Sequence, residues 1–497
     1  MFKNFPGYKL LEKIQKSNSH KRERKLPLNA IKLIFIVAIT SVIALLPTES
    51  FGIEGLTVVH QRIISLFVFA ALMWLTEAMP SWVTSMIVVT IMLLTVSTSA
   101  FNFLRPEDGA GLVPFKSIMA CFANPTIMLF IGGFVLAIGL TKVKLDVALA
   151  RVLLKPFGTR SEIVLLGFIL VTAIFSAFVS NTATAAMMLA FLTPVLKSLP
   201  ADGKGRIALA LAIPVGANLG GMITPIGTPP NMIALDYLSS QGMGISFVDW
   251  TIKMAPFVIV LLLLSWLLLR VLFPFKQKHI KIEIEGDIKW DRHTWSVVAA
   301  FVITIFMWMF GTDLWGVDTN VVAMIPIAIF CATGILTRRD LEEINWSVLW
   351  MVAGGFALGV ALNYKDASSA SLSSLIVNTV PFDNFSPLVV MILAGVICFG
   401  FSNFISHSAA TSLLVPVLGV VAGGLGSSLD SFGGPQAMLV GIAIASSVSM
   451  ILPISTPPNA IAHSTGFIEQ KDMMKVGIIV GLLGLVLGYA MLIFIGF

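Results

Sequence analysis

The fold class predicted by this sequence is an all-α polytopic membrane protein: about eleven transmembrane helices plus two re-entrant hairpins, arranged as an inverted-topology repeat. Three observations predict it. Of 497 residues, 57% are hydrophobic and only 12% charged, and apolar runs of about 20 residues, each able to cross a hydrocarbon core of about 30 Å, recur along the whole chain. Lysine and arginine collect in alternate loops. Polar motifs occur in pairs, in the same order in each half.

The first observation excludes a soluble domain, because a larger core still needs a polar shell. In lipid, helices satisfy their own backbone groups. The net charge of +6 lies mostly in loops, so it speaks to orientation rather than to nucleic acid. Cys121, Cys331 and Cys398 lie in or beside apolar segments, with neither metal spacing nor a disulfide framework, and read as core filling.

Residues 1–26 form a polar leader carrying Lys9, Lys13, Lys16, Lys21, Arg22, Arg24 and Lys25. No small-residue cleavage site follows the apolar run at 31–47, so the leader reads as a cytoplasmic tail (1–30) and not as a signal peptide. Spans then read at 31–47, 60–78, 81–98 and 123–141. An interrupted stretch at 161–196 follows, then 207–239, 250–274, 293–311, 319–336 and 346–363. A second interrupted stretch covers 386–423, before 436–465 and 474–496.

With the N-terminus inside, the basic loops at 142–160, 197–206, 270–292, 338–339 and 471–475 all fall inside. The opposite loops hold little beyond Arg105 and Lys365. This works only if both interrupted stretches enter and leave on one side, as hairpins, which puts the C-terminus outside.

The pairing is in the residues. Gly132-Gly133-Phe134 precedes the first hairpin and Gly354-Gly355-Phe356 the second. Ser176-x-x-x-Ser180 matches Ser402-x-x-x-Ser406, and Thr228-Pro229-Pro230-Asn231 matches Thr456-Pro457-Pro458-Asn459. With one hairpin opening inward and the other outward, the halves have inverted topology, the architecture expected for alternating access.

Two consecutive prolines within a spanning apolar stretch remove backbone donors and break the helix. A break at membrane depth is tolerated where it is buried in protein or lines a wet cavity. It frees carbonyls for a cation and turns a half-helix N-terminus toward an anion. A proline kink made for packing alone does not explain why T-P-P-N occurs twice. At the hairpin centres stand Ser180-Asn181-Thr182 and Ser406-His407-Ser408. Serines at i and i+4 share a helix face. Hydroxyl and amide oxygens suit a hard cation such as Na+, and hydroxyl and amide protons suit a carboxylate or phosphate.

With these motifs in view, the chain resembles the divalent anion/sodium symporter family of dicarboxylate, citrate and sulfate carriers. Trp74-Leu75-Thr76-Glu77-Ala78-Met79-Pro80 is similar to its E-A-x-P stretch. The resemblance implies a homodimer in membrane lipid, with scaffold helices (31–155 and 293–380), elevator-type transport parts (156–274 and 381–497) and a cytoplasmic loop at 275–292. It implies a first Na+ site at Ser176, Ser180, Asn181 and the Gly227 carbonyl. A second would use Ser402, Ser406 and the Ser455 carbonyl. Substrate would lie between Asn181-Thr182 and His407-Ser408, near Thr228-Pro229 and Thr456-Pro457.

Position 407 departs from the family, where it is normally an asparagine. An imidazole has no carbonyl oxygen for Na+, yet it can offer a proton to an anion, and when protonated it supplies positive charge. Two expectations follow: coupling to fewer Na+ ions, or exchange without net Na+ coupling.

The function expected is Na+-driven uptake of C4-dicarboxylates such as succinate, malate or fumarate across the cell membrane. Citrate, sulfate and phosphate remain alternatives, because the motifs read only an anionic group. No arginine or lysine lies in either motif, so the positive field must come from helix dipoles, Na+ and protonated His407. An intramembrane hydrolase lacks its nucleophile–base pair or metal motif. An Na+/H+ antiporter needs a carboxylate at the site, and neither hairpin has one. A channel would line a continuous pore instead of clustering polar groups at one depth. Asp236 either faces the pathway or is a paired buried carboxylate, and His463 has the same two readings. Glu77, Lys116 and Lys253, near span ends, read as structural or snorkelling.

Overall fold

A computed structural model describes residues 26–107, 109–200, 203–280, 289–367 and 369–497. The basic tail up to residue 25 and the loop at 281–288 lie outside the described residues. The described chain is helical, and nine of its helices are long and apolar enough to cross a membrane.

Helices α1 (Leu26–Leu45), α2 (Val58–Thr76) and α3 (Ser81–Thr95) come first. Next is α4 (Pro125–Lys142), opened by Asn124, whose side chain accepts from the Thr126 N–H, with proline at the first helical position. A short helix, α5 (Leu145–Leu154), lies where the sequence predicts a loop. Then follow α6 (Ser161–Phe178) and α7 (Asn181–Ser198), the arms of the first interrupted stretch, α8 (Gly205–Gly220), α9 (Pro229–Ser240) and α10 (Phe247–Leu272). The second half repeats the pattern. It has α11 (Arg292–Trp315), α12 (Met324–Ala332), α13 (Trp346–Asn363) and the short α14 (Leu372–Thr379). The second pair of arms is α15 (Pro387–Phe404) and α16 (His407–Leu425), followed by α17 (Gly434–Ser447), α18 (Pro457–Ser464) and α19 (Gln470–Phe494).

Each arm of the interrupted stretches has the length of a span, yet the chain returns. Ser161, at the start of α6, donates to the Lys278 carbonyl just past the C-terminal end of α10. Gly205, where α8 begins, lies against Phe275 at that same end, so close that a Cβ there would meet the ring at 2.4 Å. The α6–α7 pair therefore enters and leaves beside the C-terminal end of α10. The second pair opens at the other end. Phe382, ahead of α15, touches Gly424 near the end of α16. Gln436, in the first turn of α17, donates to the Met243 carbonyl just before α10 starts. By length and composition α6, α15 and the segment that begins with α16 are long enough to cross; their end contacts show that each pair enters and leaves on one side.

Close approach of backbones fastens the bundle, since lipid gives apolar side chains no reason to prefer one another. Gly216 and Gly220 of α8 lie on α6, where a Cβ on Gly220 would sit 2.3 Å from the Ala173 Cα. The repeated Gly-Gly-Phe has the same purpose in both halves. Gly132 is pressed against Ala323, ahead of α12, and Gly354 against Ser85 of α3. The two halves also interlock: α9 packs on α16 and α17, and α18 packs on α7 and α8.

Candidate functional site

Both broken helices stop at mid-length and restart on the proline pair. Thr228 (φ −147°, ψ 144°) and Thr456 (φ −139°, ψ 149°) are extended, and each is followed by two prolines that open α9 and α18. The extended conformation is what a residue preceding proline prefers. Both breaks contain the same turn: Gly227 N–H donates to Thr224 O at 3.3 Å, and Ser455 N–H to Leu452 O at 3.2 Å. The asparagine that ends each motif ties its own break shut. Asn231 Nδ2 donates to Gly221 O (3.0 Å) and Thr224 O (2.8 Å). Asn459 Nδ2 donates to Met450 O (2.9 Å) and Leu452 O (3.1 Å).

In the first half the motif residues converge. Ser176 Oγ lies 2.6 Å from Asn181 Oδ1 and 2.7 Å from the Ala217 carbonyl. A serine hydroxyl has one proton, so it satisfies one of these oxygens and leaves the other facing it bare, unless the Asn181 amide is reversed or a cation sits there. The Asn181 amide rests on Gly221, where a Cβ would stand 2.6 Å from its Oδ1, and Gly221 in turn rests on Gly227. Thr224 Oγ1 donates to the Ala177 carbonyl, tying the break to the hairpin tip. Ser176, Asn181 and Gly227 are thus one cluster. Ser180 is the N-cap position of α7 but makes no side-chain capping bond. Thr182 and Pro229 are half-buried, and Thr228 is buried. The Ala217 carbonyl also accepts from the Gly221 N–H at 3.2 Å, and hydroxyl, amide and carbonyl oxygens gathered in this way are the ligand type that fits Na+.

The second half is built differently. Ser406 caps α16, accepting from the Ala409 N–H. Ser402 Oγ has the Cys398 sulfur 3.8 Å away, and Ser455 Oγ donates to Leu452 O. Thr456 Oγ1 accepts from the Asn459 N–H, Ser408 is half-buried and Pro457 exposed. His407 is buried, and its Nε2 lies 2.5 Å from the Ser449 carbonyl. A carbonyl only accepts, so Nε2 carries the proton and donates it there. The expectation that His407 offers a proton to an anion needs correction on this point. Nε2–H is committed to the backbone, and only a protonated ring has a second N–H to give. The spacing that relates Thr228 to Thr456 sets Ser449 opposite Gly221, so the ring lies on the counterpart of the backbone under Asn181. With an imidazole where the first half has the Asn181 amide oxygen, the second half does not reproduce the oxygen cluster of the first.

Three contributors were not singled out from the sequence. Asn403 Oδ1 accepts from the Ile451 N–H inside the second break. Asn218 Nδ2 donates to Asn459 Oδ1 at 3.0 Å, and Ser449 Oγ donates to the Phe399 carbonyl, anchoring the second break to its hairpin as Thr224, which opens the first Thr-Pro run, anchors the first. Repeat spacing was the available signal, since it aligns Ser446-Ser447-Val448-Ser449 with Asn218–Gly221.

A cavity of about 1090 Å³ lies to one side, walled by α4, α9, α13 and α16 residues, among them Thr126, Asp236, Asn363 and Ser412. It touches Pro225 but neither hairpin tip. The site is placed here by the convergent polar motifs and not by this larger space, which lacks paired breaks. Asp236 is a partnered carboxylate on the cavity wall: Thr126 Oγ1 donates to its Oδ1 at 2.8 Å, and the Asn124 side chain bonds it as well. Both partners stand at the N-terminus of α4, where a negative charge is favoured. His463 is half-buried.

Comparison with known proteins places these features in context. The family model described as the sodium:sulfate symporter transmembrane region matches residues 28–496. An uncharacterized transporter of Haemophilus influenzae is 30% identical over 469 residues, covering 91% of this chain and 94% of its own. The sodium-dependent dicarboxylate transporter SdcS of Staphylococcus saprophyticus is 28% identical over 462 residues, covering 85% of this chain and 84% of its own. Among solved structures, the YdaH transporter of Alcanivorax borkumensis superposes with a TM-score of 0.52 at 12% identity, covering 86% of this chain and 97% of that one. That likeness concerns the fold alone.

Proposed function

The chain belongs to the sodium:sulfate symporter family and is a multi-span membrane transporter, not an enzyme; from that footing we propose that it carries small divalent anions, foremost C4-dicarboxylates, by Na+ symport. The observation that carries the reading is the first-half cluster. Ser176 Oγ, Asn181 Oδ1 and the Ala217 carbonyl face one another with one hydroxyl proton among the side chains and the Gly221 N–H on the carbonyl, beside the N-terminal end of a half-helix. A bound Na+ would be held by those oxygens. It would add its charge to the field of the α9 dipole, where an anion gathers. Relatives named as sodium-dependent dicarboxylate transporters support the ion and the substrate class.

In this reading the halves form an inverted repeat. The parts at 156–274 and 381–497 move as an elevator against scaffold helices at 31–155 and 293–380, in a homodimer. The N-terminus is cytoplasmic and the C-terminus outside, in the cell membrane. Hairpins opening at opposite ends of α10 suit this arrangement. Na+-independent exchange is the second reading, favoured by one observation: His407 has taken the Ser449 carbonyl. Citrate, sulfate or phosphate as cargo, and Na+/H+ antiport, are less well supported, the last because neither hairpin tip bears a carboxylate.

Uptake of succinate by proteoliposomes, with and without an inward Na+ gradient and with citrate, sulfate and phosphate as competitors, tests the proposal. Na+-stimulated uptake that Asn181→Ala and Thr182→Ala abolish, with normal membrane insertion, is expected. Uptake unchanged without Na+ would move the protein to the exchanger reading, and normal transport by both variants would put the site elsewhere.

A further inference from the structure

We infer that Asn218 couples the ion cluster of the first half to the broken helix of the second, through its bond to Asn459. The inference rests on the transport reading above and adds a residue which that reading does not use.

Asn218 sits in the last turn of α8 and is 2% exposed, and Asn459 stands in the first turn of α18 at 1%. Their side-chain amides join the two halves at 3.0 Å. On the Asn218 side, the neighbouring carbonyl of Ala217 accepts from Ser176 Oγ, the hydroxyl at the centre of the oxygen cluster. On the Asn459 side, Nδ2 holds the carbonyls of Met450 and Leu452. Between them the Ile451 N–H is taken by Asn403 of the second hairpin. Hydrogen bonds therefore run from the first ion cluster, through one amide–amide bridge, to the loop that precedes the Thr456-Pro457 half-helix. An ion that draws the Ser176 hydroxyl and the Ala217 carbonyl toward itself shifts the end of α8. Asn218 transmits that shift to the second break.

The bridge is one-sided, which argues against generic packing between repeats. Repeat spacing puts Ser446 opposite Asn218, but Ser446 Oγ donates to the His407 carbonyl. The reciprocal acceptor, Asn231 Oδ1, is buried and has no hydrogen-bond partner among the described residues. The coupling thus rests on this bond without a symmetric counterpart, and by linkage it acts equally in both directions. This suits a protein whose second half has His407 where a second ion cluster would be.

Asn218 is a positioning residue, so its test must separate coupling from folding. Asn218→Ala, Asn459→Ala and the double variant are compared with wild type in proteoliposomes. The readouts are the Na+ concentration for half-maximal succinate uptake and the succinate KM at saturating Na+. Losing one buried amide bond should raise the Na+ half-saturation by roughly fivefold, with a smaller change in succinate KM. The double variant should be no worse than Asn459→Ala, because the two residues act through one bond. Na+-induced thermal stabilisation of the purified variants, with and without succinate, gives the same comparison if uptake is too weak to follow. A sodium-responsive wild type with unchanged half-saturation in Asn218→Ala, or strictly additive single effects, would overturn the inference and leave the function standing. A wild type that ignores Na+ would overturn the functional reading, and this inference with it.

Discussion

Gly221→Ala is the sharpest perturbation available, because it adds one methyl group directly beneath the amide assigned to the ion. A Cβ at 221 would stand 2.6 Å from Asn181 Oδ1 and 2.9 Å from its Nδ2. Both are far inside contact distance, so the amide must retreat by about 0.5–1 Å to restore ordinary van der Waals separation. Asn181 Oδ1 is also 2.6 Å from Ser176 Oγ, and no retreat of that size leaves this contact intact. Overpacking of this kind costs about 1–3 kcal/mol, which corresponds to about 5- to 150-fold in an equilibrium constant. Borne by the ion-bound state, that cost appears as a raised Na+ half-saturation of succinate uptake in proteoliposomes. Gly423→Ala is the control, since a Cβ there meets nothing within 4 Å. A Gly221→Ala carrier with wild-type rate and wild-type Na+ response would refute the assignment of the Asn181 amide to the ion.

Three further outcomes are expected. His407→Asn releases the Ser449 carbonyl and restores an amide in the second hairpin, so uptake should become more steeply dependent on Na+; an unaltered Na+ response would remove the role given to His407. Burial pushes the Asp146 carboxyl up to about 6, against a smaller opposing pull from the Val147 N–H. Because the folded state holds that proton more tightly, Asp146 supports folding at acid pH, and the support is lost as pH rises from about 4 toward 6. Asp146→Asn should therefore stabilise the purified protein at pH 7.5, by at most about 3 kcal/mol, and have little effect at pH 4. Equal shifts in thermal unfolding at both values would contradict this. Finally, a disulfide between Thr126→Cys and Asp236→Cys, made in a background lacking Cys121, Cys331 and Cys398, should stop uptake and reductant should restore it. Full transport by the cross-linked carrier would show that this contact is not broken during the cycle.

How much was legible beforehand depends on whether the information was local. The prolines at 229–230 and 457–458 specify a helix break wherever they stand, and the breaks fall where they were read. The Ser-x-x-x-Ser spacing predicts a shared helix face, but α6 ends at Phe178 and α15 at Phe404, so Ser180 and Ser406 stand beyond their helices as caps of the next arms, and Ser176 meets Asn181 across the tip instead. Helix α5 was not recognised, because ten residues between basic flanks resemble a loop when spans are sought by length. Asn218 and Asn403 were passed over since a lone amide in an apolar helix has many uses, and its partner was 241 residues away in one case and 48 in the other.

Membrane character, the order of spans and breaks, and the duplicated polar motifs were determined by the sequence alone, because apolar length, proline chemistry and repeat spacing are properties of adjacent residues. Opposite opening of the hairpins was readable from the basic loops, but only the tertiary structure decided which contacts close each pair beside an end of α10 and that His407 lies on the Ser449 backbone. It also decided that the Asn218–Asn459 amide pair bridges the halves. Those facts depend on which carbonyl comes within 3 Å of which side chain, and the chain acquires such distances only when glycine-lined helices close on one another.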